Sequence, residues 1–137
     1  MPMAKQLVII SGVGGELIID MLSALDVTHK EQHIDYLLCP AQNSYKLRNA
    51  LKLMEFKSVK EAIVIDNKRG YELLLVNKLA EKDISATGDK CWKSCSEHIN
   101  YLHNLIAHYQ RIVNSGNAVN TIYHSALRDY KALLNNL

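Results

Sequence analysis

The chain has 137 residues, 48% of them apolar and 22% charged, with a formal net charge of +2. That is enough apolar material for a modest core, and an overall charge too small to announce a nucleic-acid partner without a concentrated basic patch. No apolar run reaches the roughly 18 residues needed to span a bilayer, and Met1-Pro2-Met3-Ala4-Lys5 lacks the apolar stretch of a signal peptide, so a cytoplasmic protein without membrane association is expected.

The first element is the β-branched run Gln6 to Ile10, which stops at Ser11-Gly12-Val13-Gly14-Gly15 and passes into apolar residues at helical spacing from Glu16 to Leu25. Strand, glycine turn and helix are then repeated: Ile34 to Cys39 is a second short strand ended by Pro40, and Asn43 to Phe56 places Tyr45, Leu47, Leu51 and Met54 along one helical face. Strands alternating with helices predict a parallel sheet with right-handed crossovers. The pattern changes at Val59 to Asp66 and Tyr71 to Asn77, two β-rich runs separated only by Asn67-Lys68-Arg69-Gly70, which predicts an antiparallel hairpin with a Gly-containing loop. After a polar linker around Lys78 to Thr87, the residues Cys95, Ile99, Leu102, Ile106, Tyr109 and Val113 recur at the alternating spacing of a coiled-coil seam, and Tyr123, Leu127, Tyr130, Leu134 and Leu137 repeat it beyond Asn114-Ser115-Gly116. The short Gly-Asn connection predicts an antiparallel helical hairpin. Residues 1–79 are therefore expected to form an α/β unit and residues 80–137 a helical appendage.

Several residue groups carry possible chemistry. Gly12-Val13-Gly14-Gly15 at a strand-to-helix turn allows a ligand to approach the backbone and meet the amides of a helix N-terminus, and its place at a strand's carboxyl end is where open α/β sheets bind ligands. It is not a dinucleotide fingerprint, since Leu17 stands where the third glycine belongs, nor does it end in the Lys-Ser/Thr of a phosphate loop; a tight structural turn is the alternative. Between Lys46 and Lys60 the chain carries Lys46, Arg48, Lys52, Lys57 and Lys60 against the single acid Glu55, which reads either as an RNA-contacting patch or as a solvated helix face. Cys39, Cys91 and Cys95 are odd in number and lack framework spacing, which points to reduced thiols. Cys91, Cys95 and His98 share a helical face with His103 one turn on, but packing accounts for them more simply than zinc does, and no metal site is assigned. His29, His33, His108 and His124 have no nucleophile partner, and Asp20, Asp26, Asp35 and Asp66 form no acid pair at the strand ends. Trp92 either stacks on a base or anchors the helical hairpin.

Taken in order, these features resemble the bacterial tRNA adenine(22)-N1-methyltransferase family. Val8 to Ile18, with the turn Ser11-Gly12-Val13-Gly14-Gly15, resembles that family's strand, Ala-Gly-Met-Gly-Gly turn and helix. Leu37-Leu38-Cys39-Pro40 followed by Leu47-Arg48 resembles its Leu-Gln-Pro-Asn strand end and the Leu-Arg of the next helix, Arg69-Gly70-Tyr71-Glu72 resembles the Tyr-Glu of its last strand, and the helical hairpin resembles its C-terminal coiled coil. The resemblance implies the second half of a Rossmann-like methyltransferase sheet, strands four to seven with the last antiparallel, followed by the hairpin. It implies S-adenosylmethionine as the cofactor of the complete family, held mainly by three earlier strands, whose Asp-x-Gly-Ser-Asp-His-Ala stretch does not occur here. It places Ser11, Gly12, Val13, Gly14 and Gly15 where methyl group and target adenine meet, with Cys39 and Pro40 bordering the same cleft, and makes Lys46, Arg48, Lys52 and Lys57 candidate tRNA contacts. Val13, Cys39 and Ala41 replace the family's Met, Gln and Asn, and the last two exchanges remove amides able to hydrogen-bond a base or cofactor.

The expectation is a truncated S-adenosylmethionine-dependent tRNA methyltransferase, inactive alone. A non-catalytic RNA-binding module and a self-associating protein are the alternatives. The strand Gln6 to Ile10 would be an exposed edge, to be covered by a second copy or by a separate N-terminal half.

Overall fold

The computed structural model describes residues 6–28, 33–116 and 121–137. Strand β1 (Gln6–Ser11) leads into helix α1 (Gly15–Thr28), β2 (Ile34–Cys39) into α2 (Ser44–Leu53), and β3 (Lys57–Asp66) turns directly into β4 (Arg69–Asn77). Helices α3 (Ser96–Asn114) and α4 (Thr121–Asn135) complete the chain. His29, and Asn117 of the Gly-Asn connection, lie outside the described residues.

The four strands form one mixed sheet in the order β1-β2-β4-β3. β1 and β2 run parallel from Gln6 opposite Ile34 to Ser11 opposite Cys39, while β4 runs antiparallel to both β2 and β3. The hairpin turn differs from the Gly-containing loop that the sequence suggests. It is the pair Asn67-Lys68, both in the left-handed region with φ of 50° and 65°, and the strands pair right up to Asp66 opposite Arg69. Two left-handed residues match the right-handed twist of the flanking strands, and Asn tolerates that conformation better than most. Gly70 is then a strand residue with a packing role: a Cβ there would lie 2.2 Å from the Tyr101 ring, so the absent side chain is what lets α3 sit down on β4.

Strand pairing and burial place all four helices on the same face of the sheet. Ile10, Tyr36, Leu38, Leu74 and Val76 point to the face where Ile18 and Leu22 of α1 and Leu47 and Leu51 of α2 form the main core with them. Fully enclosing side chains such as Ile18, Leu22 and Leu47 stabilises by about 1.5–3 kcal/mol each. A second core lies over the same face at its β3 end, where Tyr45 of α2 and Ile63 of β3 join Leu102, Tyr109, Leu127 and Tyr130 of α3 and α4. Tyr109 stacks on Tyr130 at 5.8 Å, and Trp92 on Tyr101 at 5.3 Å.

Two further details depart from the sequence reading, and Trp92 takes the packing role that reading offered. α2 stops at Leu53, because Met54 caps it and Glu55 turns left-handed at φ 64°. The connection after β4 extends to Cys95, which is the exposed N-cap of α3 and no part of its packed seam. Trp92 belongs to that connection, its indole N–H donates to the Thr87 carbonyl at 2.8 Å and its ring stacks on Tyr101, so it ties the connection to α3. Among the described residues, no helix is long and apolar enough to cross a membrane.

Candidate functional site

Two turns at the carboxyl ends of β1 and β2 make the candidate site. The β1 turn begins at Gly12, whose φ of +77° suits glycine, and runs into α1 through Val13, Gly14 and Gly15. The β2 turn runs from Pro40 through Ala41 and Gln42 to Asn43, itself left-handed at φ 60°, and enters α2 at Ser44. Two backbone hydrogen bonds tie the turns together: the Ala41 N–H donates to the Val13 carbonyl and the Gly15 N–H to the Gln42 carbonyl, both at 2.8 Å. The approach is so close that a Cβ on Gly15 would stand 2.5 Å from the Asn43 carbonyl oxygen, which is why this helix must start on glycine. Lys46 of α2 closes the outer side by pairing with Glu16 of α1 at 3.1 Å.

Within this rim the predicted residues divide. Ser11, Gly12 and Gly14 are accessible, whereas Gly15 and Pro40 are buried and act by fixing backbone. Val13 packs against the main core. Cys39 is half-buried, and burial raises its thiol above the usual range, so it remains a neutral thiol. The sequence reading stopped at Ala41 and missed Gln42 and Asn43. Gln42 is exposed, and its carboxamide lies 3.4 Å from where a Gly14 Cβ would be, directly over the turn. A Gln-Asn pair immediately before a helical run was the available signal.

The basic group is reshaped. Lys46, Lys52 and Lys60 keep solvent access, and Lys57 is held by Asp83 at 2.6 Å, a contact that lowers the Asp83 carboxyl. Arg48 is not an RNA contact, because it is fully buried. Its Nε donates to Glu72 at 2.9 Å, its Nη1 donates to Glu61 at 2.5 Å, and the Tyr101 hydroxyl approaches the other oxygen of Glu72 at 3.4 Å. Burial alone would disfavour the guanidinium charge, but Glu72 and Glu61 outweigh it and hold Arg48 protonated. The network bolts α2 to β3, β4 and α3. It also raises Tyr101 well above the usual tyrosine range, through burial first and then the Glu72 charge.

His98, part of the imagined zinc set, is buried with its ring edge-on to Trp92 and its Nδ1 accepting from the Lys93 N–H. Among the described residues no group of three or more His, Cys, Asp or Glu is placed to hold a metal ion. His33 sits 3.3 Å from Asp35, which also accepts from the Asn77 amide, so both belong to a local polar cluster at the start of β2.

The methyltransferase domain family matches residues 2–74, just over half of the chain and the whole of the sheet as far as Leu74 in β4. The chain belongs to that family. Among curated proteins, none matches it by sequence. Among solved structures, a protein of the NADB-Rossmann superfamily from Streptococcus agalactiae is similar, with TM-score 0.68 and 24% identity over 94% of this chain and 60% of that one. The m1A22 tRNA methyltransferase TrmK of B. subtilis gives TM-score 0.62 and 20% identity over 96% of this chain and 62% of its own. TrmK of M. capricolum, solved with the cofactor product S-adenosyl-homocysteine, gives 0.63 and 21% over 96% and 59%. The chain thus has the fold of a part of these proteins and spans about three-fifths of their length.

The rim offers a serine hydroxyl, backbone groups and the Gln42 carboxamide, and Glu16, the carboxylate at its side, is tied to Lys46.

Proposed function

We propose that this chain is the substrate side of an S-adenosylmethionine-dependent methyltransferase that acts on an adenine of tRNA, with the cofactor held chiefly by polypeptide other than these residues. The observation that carries the reading is the bonded pair of turns at the carboxyl ends of β1 and β2, in a chain of the methyltransferase family. In this reading β1 to β4 correspond to the fourth to seventh strands of a Rossmann-like methyltransferase, and α3 with α4 to its C-terminal coiled coil.

The role of the chain's own groups is positioning. Gly12 to Gly14 leave room for a planar base to lie on backbone, and the Gln42 carboxamide carries the donor and acceptor that pair with the N6/N7 edge of adenine. That edge is opposite in function to N1, so a base held there keeps the N1 lone pair free for in-line attack on a methyl donor. Lys46, Lys52 and Lys60 supply phosphate contacts, whose contribution falls with salt.

Measuring tRNA binding by fluorescence anisotropy tests the reading. Lys46→Ala, Lys52→Ala and Lys60→Ala together are expected to weaken binding and flatten its salt dependence. Equal affinity in the triple variant would remove tRNA from the proposal. Titrating S-adenosylmethionine into the chain alone should give no saturable heat, and a tight single site would show that the cofactor pocket is complete without further polypeptide.

A further inference from the structure

The β3–β4 ribbon reaches past the end of β2. Leu38 pairs with Leu74, which sets Pro40 level with Glu72, so the Asn67-Lys68 turn stands roughly 13 Å beyond the β1–β2 rim, at the same end of the sheet. Beside that tip, Ile65 and Lys68 of the ribbon and Glu97, Asn100, His103 and Asn104 of α3 line a groove of about 650 Å³, within the roughly 300–1,000 Å³ of small-ligand sites. The four α3 residues lie three and four apart along two turns and so share one flank. Tyr101, seated against Gly70, holds that flank beside the hairpin. All four are exposed, as is Lys68, and none of these five polar side chains bonds or pairs with another described residue. Ile65, half-buried, is the single apolar side chain among the described residues of the lining.

We infer that this groove holds one unpaired ribonucleotide of the RNA whose target base enters the rim, an inference that rests on the functional reading above for the identity of that RNA. The lining carries what single-stranded RNA recognition uses: an imidazole on which a base can stack, two carboxamides that offer donors and an acceptor to a base edge, and a carboxylate that accepts from an exocyclic amine or a ribose 2′-hydroxyl. Lys68 and its neighbour Arg69, also exposed and without a partner among the described residues, supply cations for the adjoining phosphates. A duplex does not suit the groove, because its bases are already paired and stacked, whereas a splayed-out nucleotide presents both face and edge. A protein partner is disfavoured by the lining, since interface centres concentrate aromatic and apolar side chains and the large exposed apolar residues, such as Leu7, Ile9 and Leu53, lie elsewhere. Two strand spacings separate β1 from β4, so groove and rim are roughly 15–20 Å apart, the reach of a few nucleotides. A nucleotide held in the groove therefore sets the register of the RNA, and selects among adenines by what lies a few positions away from each.

The probes are single-stranded ribotetranucleotides, one for each base, and the corresponding ribonucleoside monophosphates, titrated into the full chain and followed by nuclear magnetic resonance of the asparagine side-chain amides and the His103 ring. The tetranucleotides are expected to shift Asn100, His103 and Asn104 along one saturating curve, with the preferred base bound at least about tenfold more tightly than the weakest. Asn100→Ala with Asn104→Ala, at exposed helical positions where alanine does not endanger the fold, should weaken the preferred base about tenfold and level the preference. Tetranucleotides that leave these resonances unmoved at millimolar concentration overturn the inference, as do monophosphates that bind as tightly, because the groove then serves a free nucleotide. Fluorescence anisotropy with tRNA separates the two readings. Affinity that falls with Lys46→Ala, Lys52→Ala and Lys60→Ala but not with the asparagine pair keeps the functional reading and sinks the groove's role. Tetranucleotide binding in the groove of a chain that does not bind tRNA keeps the site and sinks the functional reading.

Discussion

Replacing Arg48 with methionine removes the guanidinium from a site where Glu72 is fully enclosed and Glu61 nearly so. Methionine has similar length and no charge, so packing changes little and the cost is electrostatic. Glu61 keeps the Ser58 hydroxyl at 2.8 Å, but Glu72 is left with only the long contact from Tyr101. Leaving buried charge without its partner typically costs 3–5 kcal/mol, a large part of the 5–15 kcal/mol that holds a domain of this size together. In urea, with a slope of roughly 1–2 kcal/mol per molar, the midpoint should fall by about 2–3 M. The double variant Arg48→Met with Glu72→Gln should recover much of this, because the orphaned charge is gone. Urea titration followed by circular dichroism reads both. A loss below about 1 kcal/mol for Arg48→Met at unchanged slope would mean that the network is not structural.

Other perturbations read other parts of the molecule. Gly70→Ala should push Tyr101 off β4 and cost about 1–3 kcal/mol, with a shift in the fluorescence of Trp92, the only tryptophan, as its stacking partner moves. Unchanged emission would place the strain elsewhere. Gly15→Ala should separate the two turns at a similar cost, visible as faster exchange of the Ala41 amide. Burial and the Asp129 carboxylate push Tyr45 up to about 12, and burial with the Glu72 charge does the same for Tyr109. Both pKa values lie above the unfolded value near 10, so their contribution to stability is complete below about pH 10 and is lost as pH climbs through 12. Ultraviolet titration of tyrosinate at fixed ionic strength should find these rings protonated at pH 11, and early ionisation would refute the burial argument.

Element type was legible from periodicity nearly throughout, since β-branched runs and helical spacing are local signals. Lateral arrangement was not. That β4 lies between β2 and β3, and that every helix falls on one face, depend on which edges and faces remain free once neighbours are seated. Arg48 shows the same limit at a single residue: an arginine on a lysine-rich helix reads as solvated, and its carboxylates come from strands 13 and 24 residues further on. The glycine turn announced the site, but its partner turn was read only as far as Ala41, because nothing local says that Gln42 will accept from the Gly15 amide.

The insertion of β4 between β2 and β3 also sets an order of events during folding. β3 is made before β4 yet has no bond to β2, so it can join the sheet only through β4. The β3–β4 ribbon, closed by Asn67-Lys68, has contacts local enough to form within microseconds. It is expected to dock afterwards as a unit, through only Leu74 to Val76 against Tyr36 to Leu38. Until then β2 presents a bare apolar edge, and that interval, more than the finished fold, is when a crowded chain is exposed to mispairing.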